Sequence, residues 1–292
     1  MKGTAPGPAS GPASGPASRP EPVLRAVGLS KTFGQTTAVA DLGFDLARGE
    51  SLGIVGESGS GKSTTARMLV GLERPDTGAV EFPGVVPEGG RPGGRLTGRQ
   101  RARAIQMIFQ DPYQSFDPRV RIGDAIAEPL RLHTTMSRRA RLAKVAALLD
   151  QVGLTGRQGR ALPRELSGGQ RQRAAIARAL GIEPSILVLD EAVAALDVSI
   201  QAQVIALLNE IRTETGVAFV FVSHDLGVVR YLTDRVLVMR AGRVVDSGET
   251  EALLARPRHP YTRLLLDSVP VPGWDLDRLA RDRRDLAALA ES

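Results

Sequence analysis

Short apolar runs recur along the chain, and most are too short and too continuous to be helices. Val23–Leu29, Phe44–Leu46 and Ser51–Val55 read as strands. Ile186–Leu189 and Ala218–Val222 are unbroken apolar runs, as a strand buried on both faces requires. Val236–Met239 and Val244–Asp246 flank Ala241-Gly242, which is a hairpin signal. Helical spacing appears between the strands, in Thr64–Leu72 closed by Glu73-Arg-Pro75, and in Ile200–Thr213. Leu142, Val145, Leu148, Leu149 and Val152 share one helix face, with Ser137 as cap and Gly153 as stop. Residues 112–182 read as mostly helical. Strands alternating with helices predict an α/β fold on a mostly parallel sheet, with that helical stretch inserted into it.

The flanks are different in kind. Residues 1–22 contain Gly-Pro-Ala-Ser three times, at 7–10, 11–14 and 15–18. Such a segment buries too little apolar surface to offset chain entropy, so a disordered Gly/Pro/Ala/Ser tail is expected. Residues 83–104 are rich in Gly, Pro and Arg and read as a solvated loop or short polar helix. Asp275–Glu291 places Leu276, Leu279, Leu286 and Leu289 among charges. It reads as a weakly amphipathic docking helix, or equally as surface packing or disorder.

Composition removes several options. With no cysteine, disulfides and thiolate metal sites are excluded. The net charge is +6, but only four of the 38 basic residues are lysine, so the excess is a general arginine preference rather than a binding patch. No nucleic acid is expected, because the arginine-rich stretch lacks interleaved aromatics. No apolar stretch reaches the roughly 18–20 residues that span a bilayer, and no signal core opens the chain. A cytoplasmic chain is expected; work on a membrane would need another subunit to supply the spans.

Chemistry concentrates in a few places. Gly56-Glu57-Ser58-Gly59-Ser60-Gly61-Lys62-Ser63 fits the phosphate-binding pattern G-x-x-x-x-G-K-[ST], between an expected strand and helix. Its glycines let successive N–H groups face one anion, Lys62 supplies a point charge, and the Ser63 hydroxyl suits magnesium. Ile186–Leu189 delivers Asp190 and Glu191 to the end of a strand. In open parallel sheets ligands bind at that end. Asp190 can reach a magnesium shell directly or through water, and Glu191 could polarise an attacking water. His224 follows another buried strand and could touch a γ-phosphate or that water. Gln110 ends the run Met107-Ile-Phe109, and its amide can ligate magnesium or position water. Leu166-Ser167-Gly168-Gly169-Gln170 opens a helical stretch and is either a second anion site or an ordinary helix cap.

In this order, with Ala195-Leu-Asp197 before His224, the motifs resemble the nucleotide-binding subunits of ABC transporters over roughly residues 23–272. The resemblance implies a P-loop NTPase (RecA-like) core with an antiparallel β subdomain and an inserted α-helical subdomain, plus a C-terminal extension. It divides the chain into a tail at 1–22, an ATPase domain at 23–250 with helices at about 112–182, and an extension at 251–292. It implies ATP and Mg2+ as cofactors, with ATP shared between one chain's phosphate loop (through Thr64) and a partner's Ser167–Gln170 loop. It further implies that Phe33 stacks on adenine, that Ser63, Gln110 and Asp190 organise magnesium, and that Lys62, Gln110, Glu191 and His224 serve hydrolysis. Asp197 would communicate between the two ATP sites.

Three further stretches resemble the oligopeptide/dipeptide (nickel) importers, and within them the second of the paired ATPase subunits. These are Gln110-Asp-Pro-Tyr-Gln-Ser-Phe-Asp-Pro-Arg119, Val198-Ser-Ile-Gln-Ala-Gln203, and His259-Pro-Tyr-Thr262 with Ser268-Val-Pro270. That likeness implies two membrane permease subunits, a second homologous ATPase, an extracytoplasmic solute-binding protein, and a place on the cytoplasmic face of the membrane. Ala192 and Ala194 depart from the family's usual Pro and Ser. A soluble ABC ATPase acting on nucleic acid or ribosomes, or an exporter ATPase, is the alternative. The first would carry two modules or a coiled coil, and the His259–Thr262 segment speaks against the second.

Overall fold

The computed structural model describes residues 21–85, 96–111 and 115–268. The repeat tail through residue 20, the Asp275–Glu291 stretch and residues 112–114 lie outside them. In chain order, β1 (Leu24–Phe33), β2 (Thr36–Leu46), β3 (Ser51–Val55), α1 (Lys62–Val70) and β4 (Thr77–Glu81) come first. Next are α2 (Gly98–Ala104), β5 (Ile105–Ile108), and the helices α3 (Ile122–His133), α4 (Arg138–Gln151), α5 (Gly156–Arg160) and α6 (Gly168–Leu180). β6 (Ile186–Asp190), α7 (Val198–Thr215), β7 (Ala218–Ser223), α8 (Leu226–Leu232), β8 (Arg235–Arg240), β9 (Arg243–Glu249), α9 (Thr250–Ala255) and α10 (Pro260–Asp267) follow.

Two sheets result. One is antiparallel, in the order β2-β1-β4. The other runs β5-β6-β7-β3-β8-β9, parallel except for the β8–β9 hairpin. The unbroken apolar runs are central strands of the second sheet, and their side chains alternate between two cores. Leu187, Leu189, Phe219 and Phe221 face one core, which is shared with α3, α4 and α6. Ile186, Val188, Val220 and Val222 face the other, shared with α1 and the antiparallel sheet. The helices α3–α6 all lie between β5 and β6 in the chain, where helical spacing was expected.

The differences from expectation have local causes. β4 carries little sequence signal, because Thr-Gly-Ala-Val-Glu is a short, mostly exposed edge strand with little apolar content. α1 begins at Lys62 rather than Thr64, since the loop itself turns into the helix. It ends at Gly71, whose φ of 83° lets its N–H reach the Arg67 and Met68 carbonyls, before Glu73–Pro75 is reached. The hairpin expected at Ala241-Gly242 is present, with φ of 46° and 79°, the left-handed pair that a tight two-residue turn requires.

Candidate nucleotide-binding site

β3 leads straight into the glycine loop. Gly56, Gly59 and Gly61 have φ of 153°, 80° and 104°. A Cβ on Gly56 would lie 2.2 Å from the Met239 carbonyl oxygen, and one on Gly61 2.2 Å from that of Ala38. The loop is thus pressed against β2 and β8, and only glycine fits at these two contacts. Glu57, Ser58 and Gly59 are exposed at its tip. The buried Ser60 hydroxyl has no partner among the described residues. Such a cradle fits a nucleotide phosphate: N–H groups at the start of α1, a cation beside them, and no side chains at the tightest points.

Lys62 is 4% exposed. Its ammonium donates to the carbonyls of Gly56 (2.7 Å) and Glu57 (2.8 Å). That bridges the loop and leaves one of the three ammonium donors for a phosphate oxygen. Burial holds the ammonium below the usual lysine range, opposed by the carboxylates of Glu191, Asp190 and Glu57.

Two carboxylates leave β6 in different directions. Asp190, buried, accepts from the Ser63 hydroxyl at 3.1 Å. Burial raises its pKa; the Ser63 bond opposes the rise and the Glu191 charge adds to it. Paired hard oxygens at the foot of a phosphate cradle suit magnesium, which is usually held through one or two carboxylates and shares its shell with phosphate and water. Glu191 has φ of 49°, a left-handed conformation uncommon for a residue with a Cβ. Its N–H is fixed by the Val222 carbonyl at 2.9 Å. That turn swings its carboxylate to Gln110, whose Nε2 donates to Oε2 at 2.8 Å, and to His224, whose Nδ1 lies 3.3 Å from Oε1. Backbone strain of this kind clusters at functional sites. Gln110 and His224 come from the ends of β5 and β7, so three strand ends converge on one carboxylate.

The other candidates sit apart. Phe33, 49% exposed, ends β1 with the Lys31 ammonium 5.2 Å from its ring centroid. Ser167 caps α6: its hydroxyl accepts from the Gln170 N–H at 3.3 Å, and the Gln170 side chain accepts from the Ser167 N–H at 3.0 Å. The capping reading is therefore met within the chain, while Ser167 stays exposed. A Cβ on Gly169 would meet Ile200 at 2.5 Å, so that glycine lets α6 and α7 start side by side. Asp197 is exposed at the start of α7. Ala192 is buried in the core and Ala194 is exposed. No hydrogen bond joins the Ser167–Gln170 loop to the phosphate loop among the described residues.

Sequence reasoning missed one contact. The Glu57 N–H donates to the Tyr261 hydroxyl at 3.0 Å. Tyr261 lies in the His259–Thr262 segment at the start of α10, and no periodicity places it beside residue 57.

The chain is similar to known ATP-binding proteins over most of its length. Residues 39–194 match the model of the ABC transporter family, and residues 245–291 that of the oligopeptide/dipeptide transporter C-terminal region. The chain is 44% identical over 246 residues to the oligopeptide transport ATP-binding protein OppF of Bacillus subtilis, covering 84% of this chain and 80% of that one. It is 47% identical over 248 residues to the glutathione import ATP-binding protein GsiA of Escherichia coli, covering 85% of this chain but 39% of that longer one. The dimeric ATP-binding cassette MJ0796, bound to ADP and Pi, superposes with a TM-score of 0.68 at 27% identity, covering 78% of this chain and 98% of that one. Glycine cradle, paired carboxylates and two matching family models lead to one conclusion: the chain belongs to the ABC transporter family of ATP-binding proteins and carries the C-terminal region of its oligopeptide/dipeptide transporters.

Proposed function

We propose that this chain is the ATP-hydrolysing subunit that powers import of oligopeptides, dipeptides or a related small solute. The observation that carries the reading is the convergence of Gln110 and His224 on Glu191, next in the chain to the Asp190 that pairs with Ser63. The relation to peptide and glutathione import proteins supports the solute class.

ATP binds with its phosphates in the Gly56–Thr64 loop and its adenine against Phe33. Lys62 and the loop N–H groups hold the β- and γ-phosphates. Ser63, Asp190 and the carbonyl oxygen of Gln110 would hold magnesium, whose charge neutralises the transferring phosphoryl group when bound. Glu191 orients and polarises the attacking water, and His224 fixes the γ-phosphate end. Catalysis is positioning and charge stabilisation more than covalent chemistry.

The Ser167–Gln170 loop serves a second ATP, bound by a homologous ATPase paired head to tail, and Asp197 lies at the seam between them. Two permease subunits supply the membrane spans, an extracytoplasmic binding protein delivers the solute, and the chain works at the cytoplasmic face. Among the described residues no helix is long and apolar enough to cross a membrane.

The test is Glu191→Gln in the assembled transporter. ATP turnover should fall by at least about 10²-fold, the usual scale for a general base, with nucleotide binding retained. Undiminished turnover would remove Glu191 from its role.

A further inference from the structure

The phosphate loop is clamped from outside. Gly242, in the β8–β9 turn, donates its N–H to the Ser60 carbonyl at 3.1 Å. Tyr261, on α10, takes the Glu57 N–H at 3.0 Å. Tyr261 is itself held firmly. Its ring is 1% exposed, with the Arg240 guanidinium 5.3 Å from the centroid. Its N–H donates to His259 Nδ1 at 3.1 Å.

Behind it stands Asp246 of β9, 8% exposed. One oxygen of that carboxylate accepts from the N–H groups of Arg258 (3.2 Å) and His259 (3.0 Å) and from the Thr262 hydroxyl (2.9 Å). A buried carboxylate with three donors on one oxygen is a rigid post. It fixes the turn into α10, and α10 fixes the hydroxyl that meets the loop.

We infer that Asp246, Thr262 and Tyr261 form a brace that presets the phosphate loop for nucleotide, with Tyr261 as its positioning residue. The inference rests on the nucleotide-binding reading of the loop. The mechanism is preorganisation: a loop already held in its binding shape spends less of its binding energy on ordering. The Glu57 N–H is engaged by Tyr261 and the Ser60 carbonyl by Gly242, so the loop tip is held between two fixed contacts.

The test uses the full chain and ADP with magnesium, which is bound but not turned over. Tyr261→Phe keeps the buried ring and removes only the hydroxyl. Isothermal titration should show Kd for ADP raised roughly three- to tenfold, the scale of one net hydrogen bond, with faster amide exchange at Glu57. Thr262→Val should raise Kd less, and the double variant should bind no more weakly than Tyr261→Phe alone, because both act through the same hydroxyl. In the assembled transporter, Tyr261→Phe should raise KM for ATP and leave kcat nearly unchanged. Wild-type Kd in Tyr261→Phe would overturn the brace. Should that variant fail to fold, Thr262→Val decides: an unchanged Kd overturns the inference. Absence of ADP binding by the wild-type chain would instead overturn the nucleotide reading, and the brace with it.

Discussion

The Gln110 side-chain amide donates to the Glu191 carboxylate at 2.8 Å, across 81 residues of chain. It holds one carboxylate oxygen while His224 faces the other. In the proposed role of general base, Glu191 needs its geometry toward the attacking water kept. Gln110→Ala should therefore lower kcat for ATP hydrolysis by about tenfold or more, with a smaller change in KM, because its proposed roles toward Glu191 and magnesium both bear on the reacting phosphoryl group. Steady-state kinetics of the reconstituted transporter measure the split, and a pure KM effect would contradict the assignment.

Asp190 should cost stability in the absence of nucleotide. Burial raises its pKa in the folded chain, so the folded state holds the proton more tightly than the unfolded one. That stabilising contribution is full below the ordinary carboxylate range and is lost as pH rises through the raised value. At neutral pH the ionised group is a net burden, and Asp190→Asn keeps an acceptor for Ser63 without the charge. The variant should melt above the wild type at neutral pH. The gap should close toward acid pH. Magnesium-dependent hydrolysis should be lost. Melting curves across pH, with metal chelated, check the sign.

Gly61→Ala should be severe. The residue has φ of 104°, and the new methyl would lie 2.2 Å from the Ala38 carbonyl oxygen. Backbone strain and the clash together should cost at least about 2 kcal/mol. Urea titration followed by circular dichroism gives the number, and a wild-type midpoint would show that the loop moves freely away from β2.

Ser167→Asp separates two roles of one residue. Aspartate is as good an N-cap as serine, so α6 and overall stability should be unchanged. In the proposed head-to-tail pair that charge would face the partner's ATP, and turnover in the assembled pair should nevertheless be abolished. The isolated chain should bind ATP normally through its own loop. If the variant supports full transport-coupled hydrolysis, Ser167 is a cap and nothing more.

The parts of this chain that read well from sequence are those with a local cause. β3, β6 and β7 are apolar runs of five or six residues, each buried throughout. The Gly56–Ser63 loop was legible because phosphate contact demands glycines, a lysine and a hydroxyl at fixed spacing. The placement of Gln110 and His224 on Glu191 needed the sheet order β5-β6-β7, which brings three distant strand ends together. The positive φ of Glu191 had no sequence signal, since glutamate rarely adopts it. β4 was invisible because an exposed edge strand need not be apolar. Tyr261 stayed hidden because a hydrogen bond to backbone leaves no mark on the partner's side chain: any residue at 57 other than proline supplies that N–H.

β3 sits between β7 and β8, and its first N–H is tied to Asp234, 183 residues on. All five of its residues are buried in the finished sheet. During synthesis the strand therefore leaves the ribosome long before either neighbour exists. For that interval Ser51–Val55 lacks both of its sheet partners, and the loop that follows has β2 to pack against but not β8. The seat of the phosphate loop is completed only when the distal strands emerge, and long-range pairing of this kind is slow and open to aggregation until it forms.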